Sequence, residues 1–193
     1  MGPEQYRFHG EHQMRLIAII VTVVAIAISQ SAIADDNSKL SAEFQILDRF
    51  VGTWDVDLTV KPAGADAINV KKAETRSWSP GQTVVHFEDA KVAGSNKASV
   101  GGPEFQMLLT YDAATKSYRG MMMYGAGRSL ITGTWDEATS TMTFNGTSPD
   151  DGSTFVFKNR FLDADHSEST GIQKNAKGEV FMEQTQKQTR RKK

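Results

Sequence analysis

From residue 54 onward apolar side chains fall on every second position: Trp54, Val56, Leu58 and Val60 alternate with Asp55, Asp57, Thr59 and Lys61. A period of two belongs to a strand with one face buried and the other wet. Immediately before it, Phe44, Leu47 and Phe50 follow a helical spacing through residues 41–50. Gly52-Thr53-Trp54 marks the change of period and reads as the first corner of a β-barrel.

Strand-like runs bounded by turn residues then recur at 54–61, 70–78, 83–91, 105–111, 118–124, 128–135, 141–146, 154–162, 168–174 and 179–187. Ser79-Pro80-Gly81, residues 112–116, 136–140, 149–152 and 175–178 supply the reversals. Connections of hairpin length favour an antiparallel meander over parallel crossovers. An open meander of about ten strands would expose two long edges, which closure removes. The expected fold is therefore all-β: a single antiparallel up-and-down barrel of about ten strands with a short N-terminal helix. Residues 93–102, rich in glycine, serine and asparagine, are read as a solvated surface loop, with a lid as the alternative.

The N-terminal end has a different pattern. An apolar run at 16–28 is shorter than the roughly 20 residues that span a bilayer as a helix. Ala32 and Ala34 then stand at the minus-three and minus-one positions of a signal-peptidase site. The expectation is a signal peptide over 1–34 cleaved before Asp35, a linker over 35–39, a barrel over 40–190 and a basic tail over 191–193. Glu4, Arg7, Glu11 and Arg15 cancel where an export leader is normally positive, and a start at Met14 would restore a compact leader. The product is expected to be periplasmic or secreted, with no stable membrane insertion after cleavage. An uncleaved anchor is the alternative.

Composition narrows the chemistry. The chain carries 22 basic and 23 acidic residues, a net charge of −1, and so lacks the basic field that nucleic-acid binding requires. Arg190 to Lys193 is read as a frayed basic tuft, or alternatively as a contact for anionic envelope lipid or polymer. With no cysteine, disulfides, a thiol nucleophile and a lipoprotein anchor are all ruled out. A barrel of about 160 residues is large enough to do without staples.

His86 and His166 are the histidines beyond the leader, and neither has metal-type spacing. His86 shares a strand face with Val84 and Glu88, opposite Val85 and Phe87. The more apolar face should be the buried one, which puts His86 outside. A lumen-facing His86–Glu88 pair is the alternative, as a general base with its orienting carboxylate or as a haem ligand. Ser129 and Ser153 lack a nucleophile elbow, Gly125-Ala126-Gly127 lacks the helix a phosphate loop needs, and Asp150-Asp151-Gly152 is a turn rather than a calcium loop. No cofactor, metal or catalytic residue is expected. The methionines at 107, 121, 122, 123, 142 and 182 suit adaptable packing better than soft-metal binding. Met122 shares a face with Tyr118 and Tyr124 and would line a deformable cavity.

The segment from Leu47 to Trp54, Tyr111-Asp112 with Tyr118 after a hairpin, Gly133-Thr134-Trp135 and residues 141–146 together resemble an exported bacterial family known chiefly as a domain of unknown function. That family has a lipocalin-like, or calycin-like, barrel, and the resemblance implies a fold without an activity. The chain departs from it at 121–127, where methionine and glycine replace a tryptophan and an acidic turn. In lipocalin-type barrels the first tryptophan packs under a basic side chain from the last strand, which implies a structural Trp54–Arg190 pair.

The function expected from this reading is binding of a small, partly apolar molecule inside the barrel, with His86, Tyr118, Met122 and Tyr124 as candidate ligand contacts. A filled barrel acting as a structural or interaction module of the cell envelope is the alternative, and an enzyme of unassigned chemistry comes third. Oligomeric state is left open.

Overall fold

Ten antiparallel strands close into a barrel in the computed structural model, which describes residues 41–89, 105–125 and 127–192. A short helix α1 (Ala42–Asp48) precedes β1 (Gly52–Pro62), β2 (Ile68–Trp78), β3 (Val85–Asp89), β4 (Phe105–Asp112) and β5 (Ser117–Tyr124). There follow β6 (Gly127–Asp136), β7 (Thr141–Thr147), β8 (Thr154–Phe161), β9 (His166–Lys174) and β10 (Val180–Arg190). Each strand pairs with its neighbour in sequence, and β1 against β10 closes the ring through the register Trp54↔Arg190 to Pro62↔Met182. The strands agree with the expected runs to within a few residues. The leader, the linker and the 93–102 segment lie outside the described residues, and no described helix is long and apolar enough to cross a membrane.

On β1 and β6 alternation does what the sequence pattern requires. Trp54 and Val56 are buried while Asp55 and Asp57 are exposed, and Ser129 and Ile131 are buried while Leu130 and Thr132 are exposed. Met107, Met122 and Met142 point into the core, where an unbranched thioether fits irregular gaps.

One end of the barrel is plugged. Segment 44–51 crosses it, burying Leu47 and Phe50, and Phe50 packs against Phe87, Phe144 and Phe161 at ring-centroid distances of 4.9–6.2 Å. Trp54 is 0% exposed, and its indole N–H donates to the Phe50 carbonyl at 2.7 Å. Arg190 lies over the Trp54 ring at 4.3 Å and donates to the carbonyls of Arg49 and Val51 beyond the helix end. A cation thus covers carbonyls of the turn that follows α1, whose own last carbonyls accept the N–H groups of Arg49, Phe50 and Val51. Gly52 makes this possible: its φ is +137°, and a Cβ there would meet Arg190 Nη1 at 2.8 Å.

The basic tuft is only partly a tail. Arg190 ends β10, and Arg191 makes an exposed ion pair with Asp55 at 2.6 Å while its N–H donates to the Thr53 carbonyl. Pairing with β1 holds both residues where a free end would fray.

Candidate functional site: a two-sided cavity inside the barrel

Above the plug the barrel is hollow. A cavity of about 420 Å³ runs from Phe50 at its floor to a mouth bordered by Ile68, Phe105, Tyr124, Phe155, Gln173 and Met182. The volume is within the range of small-molecule pockets, roughly 300–1,000 Å³. Space survives partly because rings fold back against the wall: Phe155 lies over Gly146 and Phe157 over Gly171, each its cross-strand partner, and a Cβ on either glycine would overlap the ring. The two phenylalanines also meet edge to face at 5.1 Å.

The wall from β3 to β8 is largely apolar, with Phe87, Met107, Met122, Ile131, Phe144 and Phe157 facing inward. The opposite side carries the polar groups, set among Leu58 and Val60 of β1 and Val70 of β2. On β2 the inward residues Lys72, Glu74 and Arg76 follow one another at a period of two, and Asp89 joins them from β3. Lys72 Nζ lies 2.9 Å from both Glu74 Oε1 and Asp89 Oδ1. Arg76 Nη2 lies 2.8 Å from Glu74 Oε2. Asp89 also accepts the Phe105 N–H at 3.2 Å, tying the end of β3 to the start of β4. The Arg76 guanidinium is stacked between Trp54 and Phe87, at 5.1 and 5.3 Å from the ring centroids.

Burial raises the Glu74 carboxyl, but Arg76 and Lys72 outweigh it and hold the group below the usual carboxylate range. Burial lowers the Lys72 ammonium, but Glu74 and Asp89 reverse this and hold it above the usual lysine value. Glu74 is therefore a carboxylate and Lys72 an ammonium near neutrality. Neither is poised to exchange a proton there. What the cluster offers a bound molecule is a fixed polar surface.

From Arg76 the polar surface continues across the barrel. Its Nη2 donates to Gln188 Oε1 at 2.7 Å, and Gln188 Nε2 donates to Ser169 Oγ at 3.1 Å and to Gln186 Oε1 at 2.7 Å. Ser167 Oγ donates to Gln188 Oε1 at 3.1 Å, and Ser169 Oγ donates to Asn159 Oδ1 at 2.6 Å. Gln184 and Gln173 carry the amide surface on toward the mouth.

Of the four candidate ligand contacts, the structure brings two to this cavity. Met122 and Tyr124 line it, and the Tyr124 hydroxyl is 3.1 Å from Ser129 Oγ. Tyr118 faces inward but at the plugged end, where its hydroxyl donates to the Glu43 carbonyl at 3.1 Å and burial pushes its pKa up. The space above it is taken by α1. His86 is on the outer face of β3, opposite Ser77 and Leu108, while Val85 and Phe87 point in. Its position follows from alternation, so the lumen-facing His86–Glu88 pair does not form.

Lys72, Glu74, Arg76, Asp89 and the glutamines of β10 are not among the contacts expected from the sequence. A signal existed: charges of alternating sign at every second position between Val70 and Trp78, and Gln184, Gln186 and Gln188 at the same spacing. Among the described residues no group of three or more His, Cys, Asp or Glu is arranged to hold a metal.

No family model matches the chain, and no curated protein matches it either. Among solved structures the barrel is similar to the S-type phycobiliprotein lyase CPES from Guillardia theta, with a TM-score of 0.53 and 14% identity over 80% of this chain and 95% of that one. It also aligns with a protein of unknown function from the DUF3598 family of Nostoc punctiforme, with a TM-score of 0.25 and 8% identity over 79% of this chain and 100% of that one. The lyase likeness shows a shared barrel fold.

Proposed function

We propose that this protein is a binding protein for a small, partly apolar molecule held inside the barrel, and that it works outside the cytoplasm. The observation that carries the binding reading is the cavity of about 420 Å³ with an apolar wall facing a polar one. A barrel that acted only through its surface would gain from filling that space, because close-packed interiors are more stable than hollow ones. Five charged and amide side chains at the polar wall, Lys72, Glu74, Arg76, Asp89 and Gln188, are buried or nearly so at a desolvation cost that a purely structural interior would avoid. Export rests on the apolar run at 16–28 and the Ala32 and Ala34 pair. The lyase shares the fold at an identity that transfers no activity.

Native mass spectrometry and organic extraction of protein purified from its own host test the binding reading. A retained small molecule, displaced when Met122 is replaced by a ring that fills the cavity, is the expected result. Protein that is consistently empty and excludes apolar fluorophores would refute it. An N-terminus at Asp35 on the exported protein would support the processing site, and protein found only in the cytoplasm would remove the export claim.

A further inference from the structure

The direction of the hydrogen bonds along the polar wall can be derived, because a guanidinium donates and never accepts. Arg76 Nη2 against Gln188 Oε1 makes that oxygen the acceptor, so Gln188 Nε2 must be the donor toward Ser169 and Gln186. Ser169, receiving from Gln188, passes its own proton to Asn159 Oδ1. This orients the Asn159 amide. A flipped amide would leave the Ser169 proton without its acceptor. The relay therefore ends on Asn159 Nδ2, which has no hydrogen-bond partner among the described residues although Asn159 is 5% exposed and lines the cavity.

Charge gives the second constraint. Among the described residues, Lys72, Arg76, Glu74 and Asp89 are the charged ones that line the cavity, and they pair as two cations with two anions. An anion entering this space would lose its hydration without meeting an uncompensated cation, and a cation would fare no better. A neutral acceptor does better. It gives the orphaned N–H a partner that none of the described residues supplies, and it brings no charge to desolvate. The aromatic and methionine wall opposite suits a compact apolar body.

We infer that the ligand is an uncharged apolar molecule carrying a carbonyl-type oxygen, and that Asn159 is the residue that recognises this oxygen. The inference rests on the cavity being a binding site, and the test separates the two.

One naphthylamine scaffold, 2-(dimethylamino)naphthalene, serves as probe with three substituents at its 6 position: propionyl, propyl or carboxylate. In the wild-type protein the ketone and the propyl compound both bind, the carboxylate binds more weakly than the ketone, and the infrared carbonyl stretch of the bound ketone falls below its value in hexane. Asn159→Leu, which keeps the bulk and removes the donor, weakens the ketone about tenfold and leaves the propyl compound unchanged. A carbonyl stretch at the hexane value in the wild type overturns the inference even if the variant fails to fold. So does a ketone affinity that Asn159→Leu does not alter, or a carboxylate that binds more tightly than the ketone. If neither the propyl compound nor the ketone enters, the binding reading itself falls and this inference falls with it.

Discussion

The plugged end and the cavity of this barrel are built from the same ten strands and the same inward-outward alternation, yet one is packed solid and the other hollow. At the plugged end a helical turn carries Leu47 and Phe50 into the barrel, and Trp54 is covered by Arg190. Toward the mouth no such insert is found among the described residues, and Gly146 and Gly171 let the Phe155 and Phe157 rings lie flat against the sheet. Alternation decides which side chains point inward. Whether they fill the interior depends on their size and on what is inserted between them.

This contrast makes the plugged end a place where mutations should cost stability, and the cavity a place where they should cost binding. The largest effect is expected at Trp54. Trp54→Ala removes a fully buried indole, its hydrogen bond to Phe50 and the ring under two guanidinium groups, and should cost about 3–5 kcal/mol in chemical denaturation. A loss below about 1 kcal/mol would show that Trp54 does not hold the plug.

Glu74 tests whether the distinction is clean, because it lines the cavity but is bonded to buried cations. Glu74→Gln should destabilise by roughly 3 kcal/mol, since it leaves the Lys72 and Arg76 charges under-compensated. The same pair sets the pH dependence. The folded pKa of Glu74 is depressed below its ordinary 4.5, so its contribution is complete above that pH and is lost as pH falls through the folded value. The folded pKa of Lys72 is raised above 10.5, so its contribution is complete below that pH and is lost as pH rises through the folded value. Thermal melts should be flat between these limits as far as this pair is concerned. The acid limb should shrink in Glu74→Gln, and an unchanged acid limb would mean that other carboxylates control it.

Met122→Trp narrows the cavity itself. The added ring has open space before it, so the stability cost should stay within about 1–2 kcal/mol, while binding of the propionyl naphthylamine should fall by more than about tenfold. Retained binding would place the ligand elsewhere. The smallest effect is expected for His86→Ala on the outer face of β3, within about 0.5 kcal/mol and with no change in probe affinity. A changed affinity would draw attention to the outer surface.

How legible each feature was in the sequence follows the range of the interactions behind it. The ten strands and α1 were readable because a period of two, a helical period and the turn residues between them are local properties. Met122 and Tyr124 were readable as inward for the same reason. Tyr118 shares their face, but its position under α1 depends on where a separate element crosses the barrel. Lys72, Glu74 and Arg76 were missed because apolarity is the usual mark of an inward face, and these residues break it. Their burial is made tolerable by partners that local pattern cannot reveal: Asp89 on β3, and Gln188, which lies 112 positions away from Arg76.

Local pattern along the chain sets the strands, their order and their antiparallel reversal, because short turns leave neighbouring strands little choice but to pair. It also sets which residues share a face, through the alternation of an extended backbone, which shifts where β10 breaks register between Val180 and Met182. The closed barrel alone sets the register in which β1 meets β10, cancels four charges inside, and leaves an N–H at Asn159 at the end of a relay beginning at Arg76. These features depend on distances across a closed barrel, and such distances exist only once the ring has formed.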